Sequence, residues 1–383
     1  MQEPIISILL PTLLIGGAEK SLVELANGLA ARGWCIQLLV MEKKGPLIEE
    51  LSSNVDLIDL GCSSYRQVVI ALARYYKKHR PSVILTSMYA TGLAAVAAKF
   101  FSGYKPKVIV GAHNSLQEKS VHPDNVKDKF LLMPLCRLLF PWADGFIAVS
   151  QGLALELEQL LRLPKHRIRT IYNPVVTREL AVRAGEQVSH PWLDKPRRGN
   201  FKTLISVGRL VEQKGYDVLL EGLQITRKSL DCRLIIVGGG PLLANLEATA
   251  QKLGLQKFVD FVGWQENPYK FVARSDLFVL SSRWEGLANV LIEALACGCP
   301  VVATNCRYGP DEILEGGKYG MLAAVDNPSD LATKIITTLI GGAQVPASGT
   351  MRKSRSLDFT TEAAVAQYSK YFSEICLVSS STR

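Results

Sequence analysis

The patterns that this 383-residue sequence lacks already exclude several classes of protein. It has no uninterrupted apolar run long enough to span a bilayer. Its apolar start has no basic segment and is broken at Pro11, so a signal peptide is not expected. The eight cysteines show no metal-ligand spacing, since Cys297-Gly-Cys299 is too tight and has no second pair. We therefore expect buried thiols in a reducing compartment and a cytoplasmic protein.

Several catalytic motifs are also missing. There is no Asp-x-Asp pair that would hold a divalent metal against a diphosphate. A Walker loop, a G-x-S-x-G elbow and a cysteine–histidine pairing are absent as well. These absences argue against P-loop chemistry and against serine or cysteine hydrolases. No metal site and no cofactor are predicted.

The charge excess is small. The chain holds 44 basic and 35 acidic residues, a formal net charge of +9. Residues 1–170 contain 20 basic and 14 acidic residues, so +6 of that excess lies in the first part of the chain. This balance is too modest for nucleic-acid binding, and no nucleic-acid motif is present. It fits contact with an anionic membrane face or acceptor, although an ordinary solvated surface explains much of it.

Two regions of the chain repeat one pattern, an apolar strand followed by a turn, a helix and another strand. The predicted strands are 6–13, 35–41, 82–87, 107–114 and 145–150 in the first region, and 202–210, 232–240, 257–263, 276–282 and 300–304 in the second. Near-continuous β-branched strands that alternate with helices are typical of parallel sheets covered on both faces. The fold class is therefore α/β, with two doubly wound, Rossmann-like domains.

These patterns also predict domain boundaries. The first domain covers 1–174 and the second covers 201–355. The segment 175–200 loses apolar periodicity and gathers Pro, Gly, Arg and Lys, which is typical of a linker or mobile loop. Residues 356–383 contain an amphipathic helix at 358–375, capped by Thr360 or Thr361, and a short frayed tail.

The most informative stretch is SSRWEGLANVLIEALACGCPVVAT, because it spaces Glu285 and Glu293 eight residues apart. Glu285 lies on the loop after a predicted strand, and Glu293 lies about two turns inside the helix that follows. The first turn of that helix is predicted to contain Gly286, Leu287, Ala288 and Asn289, whose free N–H groups favour a phosphate. The pattern predicts a diphosphate flanked by two hydroxyl-rich groups, which describes a nucleotide-sugar.

Other polar residues also follow predicted strands. Arg209 and Lys214 are spaced to clamp a diphosphate and to stabilise charge on a leaving nucleotide, although a solvated loop would look the same. Gly17 lies in a tight turn before a helix, where a glycine lets the backbone approach a ligand closely. Such turns often need glycine for their own geometry, so this feature alone is weak support for a binding site. A lone strand-end histidine such as His113 is more often structural than catalytic.

Two basic and aromatic segments allow more than one interpretation. Segment 127–145 could skim a membrane, but Pro134 and Pro141 favour a helix packed into the core. Segment 71–81 has the same ambiguity.

Several motifs together resemble glycosyltransferase family 4. They are GGAEKSLVELANGLAARG, AVSQG, IYNPV, SVGRLVEQKGYDVLLEG, IVGGGPL, VDFVGW and EGLANVLIEALACGCPVVAT. The resemblance runs from about Ile5 to the final helix and is densest between 201 and 327. It implies the GT-B fold, in which two Rossmann-like domains face a cleft and the final helix crosses back to the N-terminal domain.

The resemblance also implies roles for individual residues. Glu285 would contact donor-sugar hydroxyls and Glu293 the ribose hydroxyls. Arg209 and Lys214 would bind the donor diphosphate, helped by the amides from Gly286 to Asn289. Two further residues would come from the N-terminal domain. The loop of Gly17 would close on the diphosphate and the acceptor, and His113 would lie near the C6 hydroxyl of the sugar.

The implied function is a retaining, metal-independent transferase. It would move sugar from a nucleoside-diphosphate sugar, with a UDP-sugar favoured, to a lipid-linked or glycan acceptor in bacterial polysaccharide or lipopolysaccharide synthesis. The protein would be cytoplasmic or peripheral at the inner membrane. The alternatives are another GT-B enzyme, such as a UDP-sugar epimerase, and a non-catalytic nucleotide-sugar-binding protein.

Overall fold

The computed structural model describes residues 4–121, 126–164, 167–194, 200–341 and 346–378. Two compact units account for the chain. Unit 1 comprises 1–174 together with 359–383, and unit 2 comprises 175–358. The tail 379–383, predicted to be frayed, lies outside the described residues, as do 195–199 of the predicted linker.

Unit 1 is built on a seven-stranded, wholly parallel sheet of order β3-β2-β1-β4-β5-β6-β7. Its strands are β1 (Ile5–Leu10), β2 (Cys35–Val40), β3 (Val55–Asp59), β4 (Val83–Thr86), β5 (Lys107–Ala112), β6 (Gly145–Ala148) and β7 (Ile168–Thr170). The helices of its first part are α1 (Gly17–Ala30), α2 (Tyr65–His79), α3 (Tyr89–Ser102), α4 (Leu116–Val121), α5 (Val126–Leu139) and α6 (Gln151–Leu161). Three edge strands are absent from the prediction, and all are short and only partly buried: β3 and β7 of this unit and Met321–Ala323 of unit 2.

Unit 2 repeats this architecture with six parallel strands in the order β10-β9-β8-β11-β12-β13. Its strands are β8 (Lys202–Val207), β9 (Cys232–Val237), β10 (Val259–Gly263), β11 (Leu277–Leu280), β12 (Val301–Thr304) and β13 (Met321–Ala323). Its helices are α7 (Arg178–Gly185), α8 (Tyr216–Thr226), α9 (Leu243–Lys252), α10 (Tyr269–Val272), α11 (Asn289–Ala296), α12 (Pro310–Leu314), α13 (Pro328–Ile340) and α14 (Gly349–Ser356). In both units, strands buried on both faces explain the near-continuous apolar runs of the sequence.

The segment between the two predicted domains contains helix α7, which packs on α10 of unit 2. Asn267 Nδ2 donates to the carbonyl of Arg183 at 2.8 Å, and the Arg274 guanidinium donates to the carbonyls of Ala184 and Gly185. Because these bonds fix the end of α7, residues 175–194 form part of unit 2.

The final helix, α15 (Thr361–Val378), packs on unit 1. Thr360 caps it by accepting a hydrogen bond from the amide of Ala363 at 3.2 Å. The Trp34 indole donates to Ser369 Oγ at 3.2 Å and meets the ring of Phe372 edge-on at 6.2 Å. This helix lies beside α1 over β1 and β2, so the expected return of the chain to its first unit is confirmed.

The cysteines form no disulfide in the described part of the chain. Five are buried: Cys62, Cys136, Cys232, Cys299 and Cys306. Cys297 and Cys376 are half-buried, and Cys35 is exposed at the start of β2. The prediction of buried thiols is therefore wrong for Cys35, because the first residue of a strand need not share the burial of its apolar neighbours.

Candidate functional site

The candidate site of unit 2 begins where β8 and β11 end. These strands are neighbours in the sheet and run parallel, so the segments that follow them meet at one edge. Ser281 Oγ donates to the carbonyl of Lys214 at 2.8 Å. Gly215 has φ +57°, and a Cβ there would lie 2.2 Å from the carbonyl oxygen of Ser281. Glycine is therefore required where the two segments touch.

An ion pair joins these two segments. Lys214 Nζ lies 2.5 Å from Glu285 Oε1, and both side chains are largely buried, with 15% and 7% exposed. Ser282 Oγ donates to the same carboxylate oxygen at 2.7 Å. A buried ion pair is stable only when its members are well bonded, and breaking one side leaves an uncompensated charge. The structure thus brings together two residues that are 71 positions apart in the sequence.

A second ionic cluster anchors the loop that carries Glu285. Arg283 donates bidentately to Asp217 in the first turn of α8, at 3.0 and 2.6 Å, and to Asp326 at 2.7 Å. These carboxylates raise the pKa of the Arg283 guanidinium. Gln213 Nε2 adds a bond to the carbonyl of Trp284 at 2.8 Å. The loop is therefore held at the two residues that precede Glu285.

Helix α11 starts later than the sequence predicts. It begins at Asn289, so Gly286, Leu287 and Ala288 lie in the preceding loop rather than in its first turn. Ala288 is the residue before the helix and adopts the left-handed conformation, with φ +61°. A non-glycine residue in this region is uncommon and is strained. Glu293 is consequently the fifth helical residue, little more than one turn from the N-terminus and not two.

A second loop supports this strained backbone. Gly309 has φ +94°, and a Cβ there would lie 2.8 Å from the backbone of Leu287. The amide of Glu285 donates to the carbonyl of Arg307 at 3.4 Å. The chain after β12 thus packs directly on the segment Glu285–Ala288 and fixes its course.

Glu293 has a partner that sequence patterns do not reveal. The hydroxyl of Tyr269 donates to Glu293 Oε1 at 3.1 Å. Tyr269 is buried in α10, and burial together with the nearby carboxylate raises the pKa of its phenol. The Arg183 guanidinium lies 5.5 Å from the Tyr269 ring centre. One oxygen of Glu293 is thereby oriented, and its side chain remains only partly buried.

Arg209 differs from Lys214 in its surroundings. It follows β8 directly, its side chain is exposed, and within the described part of the chain its guanidinium forms no hydrogen bond or ion pair. A guanidinium in this state is available to an anion from solvent.

The remaining predicted residues belong to unit 1. Gly17 is the first residue of α1, after an extended Gly16. His113 follows β5 and is half-buried, with its Nδ1 atom buried and without a hydrogen-bond partner among the described residues. Burial lowers the pKa of the His113 imidazole to about 4, so the ring is neutral at pH 7.

Sequence reasoning missed three polar neighbours of the glutamates: Ser282, Gln213 and Tyr269. The contact of Ser282 with Glu285 could have been predicted, since Ser282 lies three residues before Glu285 on the same loop. Gln213 and Tyr269 carried none, because their contacts depend on how separate loops pack. No group of three or more His, Cys, Asp or Glu suited to a metal ion occurs in the ranges that the structure describes.

Comparison with known proteins identifies the family. The model of Glycosyltransferase Family 4 matches residues 15–179, and that of Glycosyl transferases group 1 matches 193–345. The lipopolysaccharide core biosynthesis glycosyltransferase LpsE of Rhizobium meliloti is 31% identical over 361 residues, covering 93% of this chain and 92% of LpsE. The chain belongs to glycosyltransferase family 4. The resemblance seen in the motifs is thus confirmed.

Two further relatives of this family 4 glycosyltransferase align over part of their length. An uncharacterized glycosyltransferase of Methanocaldococcus jannaschii is 37% identical over 203 residues, covering 49% of each chain. A Campylobacter jejuni N-acetylgalactosaminyltransferase, named for a diphospho-undecaprenol substrate, is 31% identical over 216 residues, covering 56% of this chain and 55% of the relative. The chain thus spans about half the length of these two curated relatives.

A solved structure establishes the fold. HepE of Anabaena, in complex with UDP and glucose, superposes with a TM-score of 0.78 at 20% identity, covering 97% of this chain and 100% of HepE. The predicted fold class, a GT-B arrangement with two parallel-sheet α/β domains, is confirmed.

Proposed function

We propose that this family 4 glycosyltransferase transfers a sugar from a UDP-sugar, with retention and without a metal, to a lipid-linked or glycan acceptor in bacterial polysaccharide or lipopolysaccharide synthesis. The observation that carries the proposal is the Lys214–Glu285 pair at the adjoining ends of β8 and β11, with Glu293 one turn into the next helix. The names of relatives supply the pathway, because LpsE acts in lipopolysaccharide core biosynthesis and the Campylobacter enzyme is named for a diphospho-undecaprenol substrate.

The proposed chemistry needs cations rather than a strong nucleophile. Arg209 and Lys214 bind the donor diphosphate and stabilise the charge that develops on it as the bond from the sugar C1 to the phosphate oxygen breaks. The acceptor hydroxyl attacks from the same face, and its proton passes to the leaving phosphate. Glu285 then holds donor-sugar hydroxyls and does not act as a nucleophile. Retention follows from this same-face attack.

Glu285 prepares Lys214 for this role. Before the donor binds, the carboxylate neutralises the buried ammonium at 2.5 Å, which keeps it from being an isolated buried charge. A diphosphate offers the ammonium a second anionic partner. Glu293 and Tyr269 supply an oriented acceptor for the ribose hydroxyls on the other side.

The proposal is tested by thermal shift with UDP, GDP, ADP and their sugar conjugates. We expect selective stabilisation by the uridine series, several degrees at 100 times Kd, because that occupancy contributes about 2.7 kcal/mol. Glu293→Ala should abolish the shift, whereas Glu247→Ala, an exposed glutamate of α9, should preserve it. Tyr269→Phe should weaken UDP binding by up to about tenfold, the usual cost of one hydrogen bond.

Product analysis beside the thermal shift separates the alternative functions. A UDP-sugar epimerase would convert the donor without an acceptor, which product analysis in the absence of acceptor detects. A non-catalytic binding protein would show the thermal shift and no product with any lipid extract. Absence of stabilisation by every nucleotide would contradict the donor site itself.

A further inference from the structure

One surface of unit 1 exposes apolar side chains along a helix that also packs into the core. In α5, Leu132 and Cys136 are buried, while Leu131, Leu135 and Leu138 are exposed. The exposed leucines are spaced by four and three residues, so they form a stripe on one side of the helix. The helix runs through Pro134, which the sequence suggested would spoil such a face. The segment thus combines the two alternatives that the sequence left open.

Exposed aromatic side chains also lie on the elements that neighbour α5. Trp142, in the 3₁₀ turn that follows α5, is 62% exposed and meets the ring of Phe100 edge-on at 5.6 Å. Phe100 and Phe101 end α3, and Phe101 is 76% exposed. Contiguous apolar patches of this kind on a protein surface mark interaction sites. We name the outer sides of α2, the end of α3, α5 and the turn 140–142 the α2–α3–α5 surface.

A pocket opens on the same surface between α2 and the end of α3. Its volume is about 570 Å³, and Val69, Ile70 and Phe101 contribute to its apolar lining. Arg74 and Lys77 also line it. Ile70, Arg74 and Lys77 follow one another at spacings of four and three, so they lie on one side of α2.

The charge of this surface indicates the chemistry of its partner. Among the described side chains, α2 and α5 carry five basic residues and no acidic residue: Arg66, Arg74, Lys77, Lys78 and Arg137. Lys99 of α3 is not counted, because it is paired with Asp144 at 2.6 Å. The helices α1 and α15 carry two basic and four acidic residues: Lys20 and Lys370 against Glu19, Glu24, Glu362 and Glu374. The charge and the exposed apolar side chains of the α2–α3–α5 surface therefore favour a partner that is both anionic and apolar.

We propose that the α2–α3–α5 surface docks on an anionic phospholipid bilayer, with lipid phosphate at Arg74 and Lys77 and with Leu138 and Trp142 at the headgroup boundary. A bilayer offers anionic headgroups above hydrocarbon, which matches cations placed around an apolar stripe. Long basic side chains reach the headgroups while their stems cover apolar surface, and tryptophan favours this boundary. The inference rests on the proposed function, since a lipid-linked acceptor would lie in such a bilayer.

The test is flotation of the full chain with vesicles of phosphatidylcholine alone or mixed with phosphatidylglycerol. We expect binding to the mixed vesicles only. The double variant Leu138→Ser/Trp142→Ser should lower the partition coefficient at least tenfold. Its matched control is Leu243→Ser/Trp264→Ser, which changes exposed side chains of the same types in unit 2 and should bind as wild type.

A second pair of variants tests the cations without touching the core helix. Arg74→Ser/Lys77→Ser should weaken binding to mixed vesicles roughly 25-fold, since each cation near an anionic surface contributes about fivefold. Lys252→Ser/Lys257→Ser, exposed lysines of unit 2, should leave binding unchanged. If the apolar variant fails to fold, this pair of variants still tests whether the α2–α3–α5 surface binds anionic vesicles.

Three results would overturn the inference: no binding of wild type to anionic vesicles, unchanged binding by both surface variants, or equal loss in the controls. Stabilisation by UDP is measured on every variant. If UDP still stabilises a variant that has lost vesicle binding, the donor site of that variant is intact. The loss of vesicle binding is then caused by the changed surface. Loss of UDP stabilisation with vesicle binding retained would instead contradict the proposed function.

Discussion

The two units share one architecture and present different chemistry. In unit 2 the notable charged groups lie at strand ends and are largely paired, as Lys214 is with Glu285 and Arg283 with Asp217. In unit 1 the notable groups lie on the outer side of helices, where Leu138, Trp142 and Lys77 face solvent. A parallel sheet determines where its strand ends meet, but it places no constraint on the outer side of its helices. The first kind of site is therefore tied to the fold, and the second depends only on surface side chains.

Removing Lys214, the largely buried cation of the candidate site, should have the largest effect. Lys214→Met should lower kcat by about 10²–10³-fold, the loss typical for one group that stabilises developing charge. Turnover of the UDP-sugar with a lipid extract is the measurement. Vesicle flotation of the same variant should not change, because Lys214 belongs to unit 2. Lys252→Met is the control, since it removes an exposed lysine of the same unit.

If Lys214→Met lost vesicle binding as well as turnover, donor binding by unit 2 and membrane binding by unit 1 would not be separate functions. Wild-type turnover would contradict the donor-site assignment itself. Glu285→Gln keeps the shape of the side chain and removes its charge, so it should also leave Lys214 as an uncompensated buried cation.

A smaller effect is expected from a buried group of unit 1. The pKa of His113 is lowered to about 4 by burial, against an ordinary value of 6.5. The unfolded chain therefore takes up a proton as the pH falls through 6.5, while the folded chain does not until about pH 4. The free energy of unfolding should fall across this window by at most about 3.4 kcal/mol, since one pKa unit corresponds to about 1.36 kcal/mol.

His113→Asn should flatten this pH dependence, measured as the difference in Tm between pH 7 and pH 5. His79→Asn, a partly exposed histidine of the same unit, is the control and should retain the wild-type slope. An unchanged slope in His113→Asn would mean that the imidazole is not the group responsible.

The sequence predicted the fold, and it located some of the candidate site residues in the chain, for the same reason. Strands such as Lys202–Val207 and Leu277–Leu280 are buried on both faces, so their composition alone marks them. Arg209 and Glu285 lie on the segments that follow these two strands, so the same pattern located them. The edge strand Val55–Asp59 was missed because only its first residue is fully buried, so it lacks a continuous apolar run.

Contacts between separate loops could not be predicted. The hydrogen bond from Tyr269 to Glu293 joins residues of different elements, and nothing local in either segment requires it. The later start of α11 depends on the left-handed Ala288, a conformation that propensity disfavours and that packing of the loop at Gly309 maintains. The sequence favoured a helix packed into the core for 127–145, and Leu132 and Cys136 do lie in the core. The additional exposed stripe of α5 was not expected, because Pro134 was taken to disrupt such a face.

The smallest expected effect is that of a chelator. We expect kcat to be unchanged by EDTA, because Arg209 and Lys214 supply the positive charge that a divalent metal would otherwise bring to the diphosphate. The assay should use a detergent-dispersed acceptor, so that loss of divalent ions does not alter a bilayer. Activity that disappears with EDTA and returns with Mg²⁺ would mean that this cation pair is insufficient. The site of unit 2 would then need a metal ion from solution in addition to its own cations. The two units would differ less, because the α2–α3–α5 surface also needs a charged partner from outside the chain.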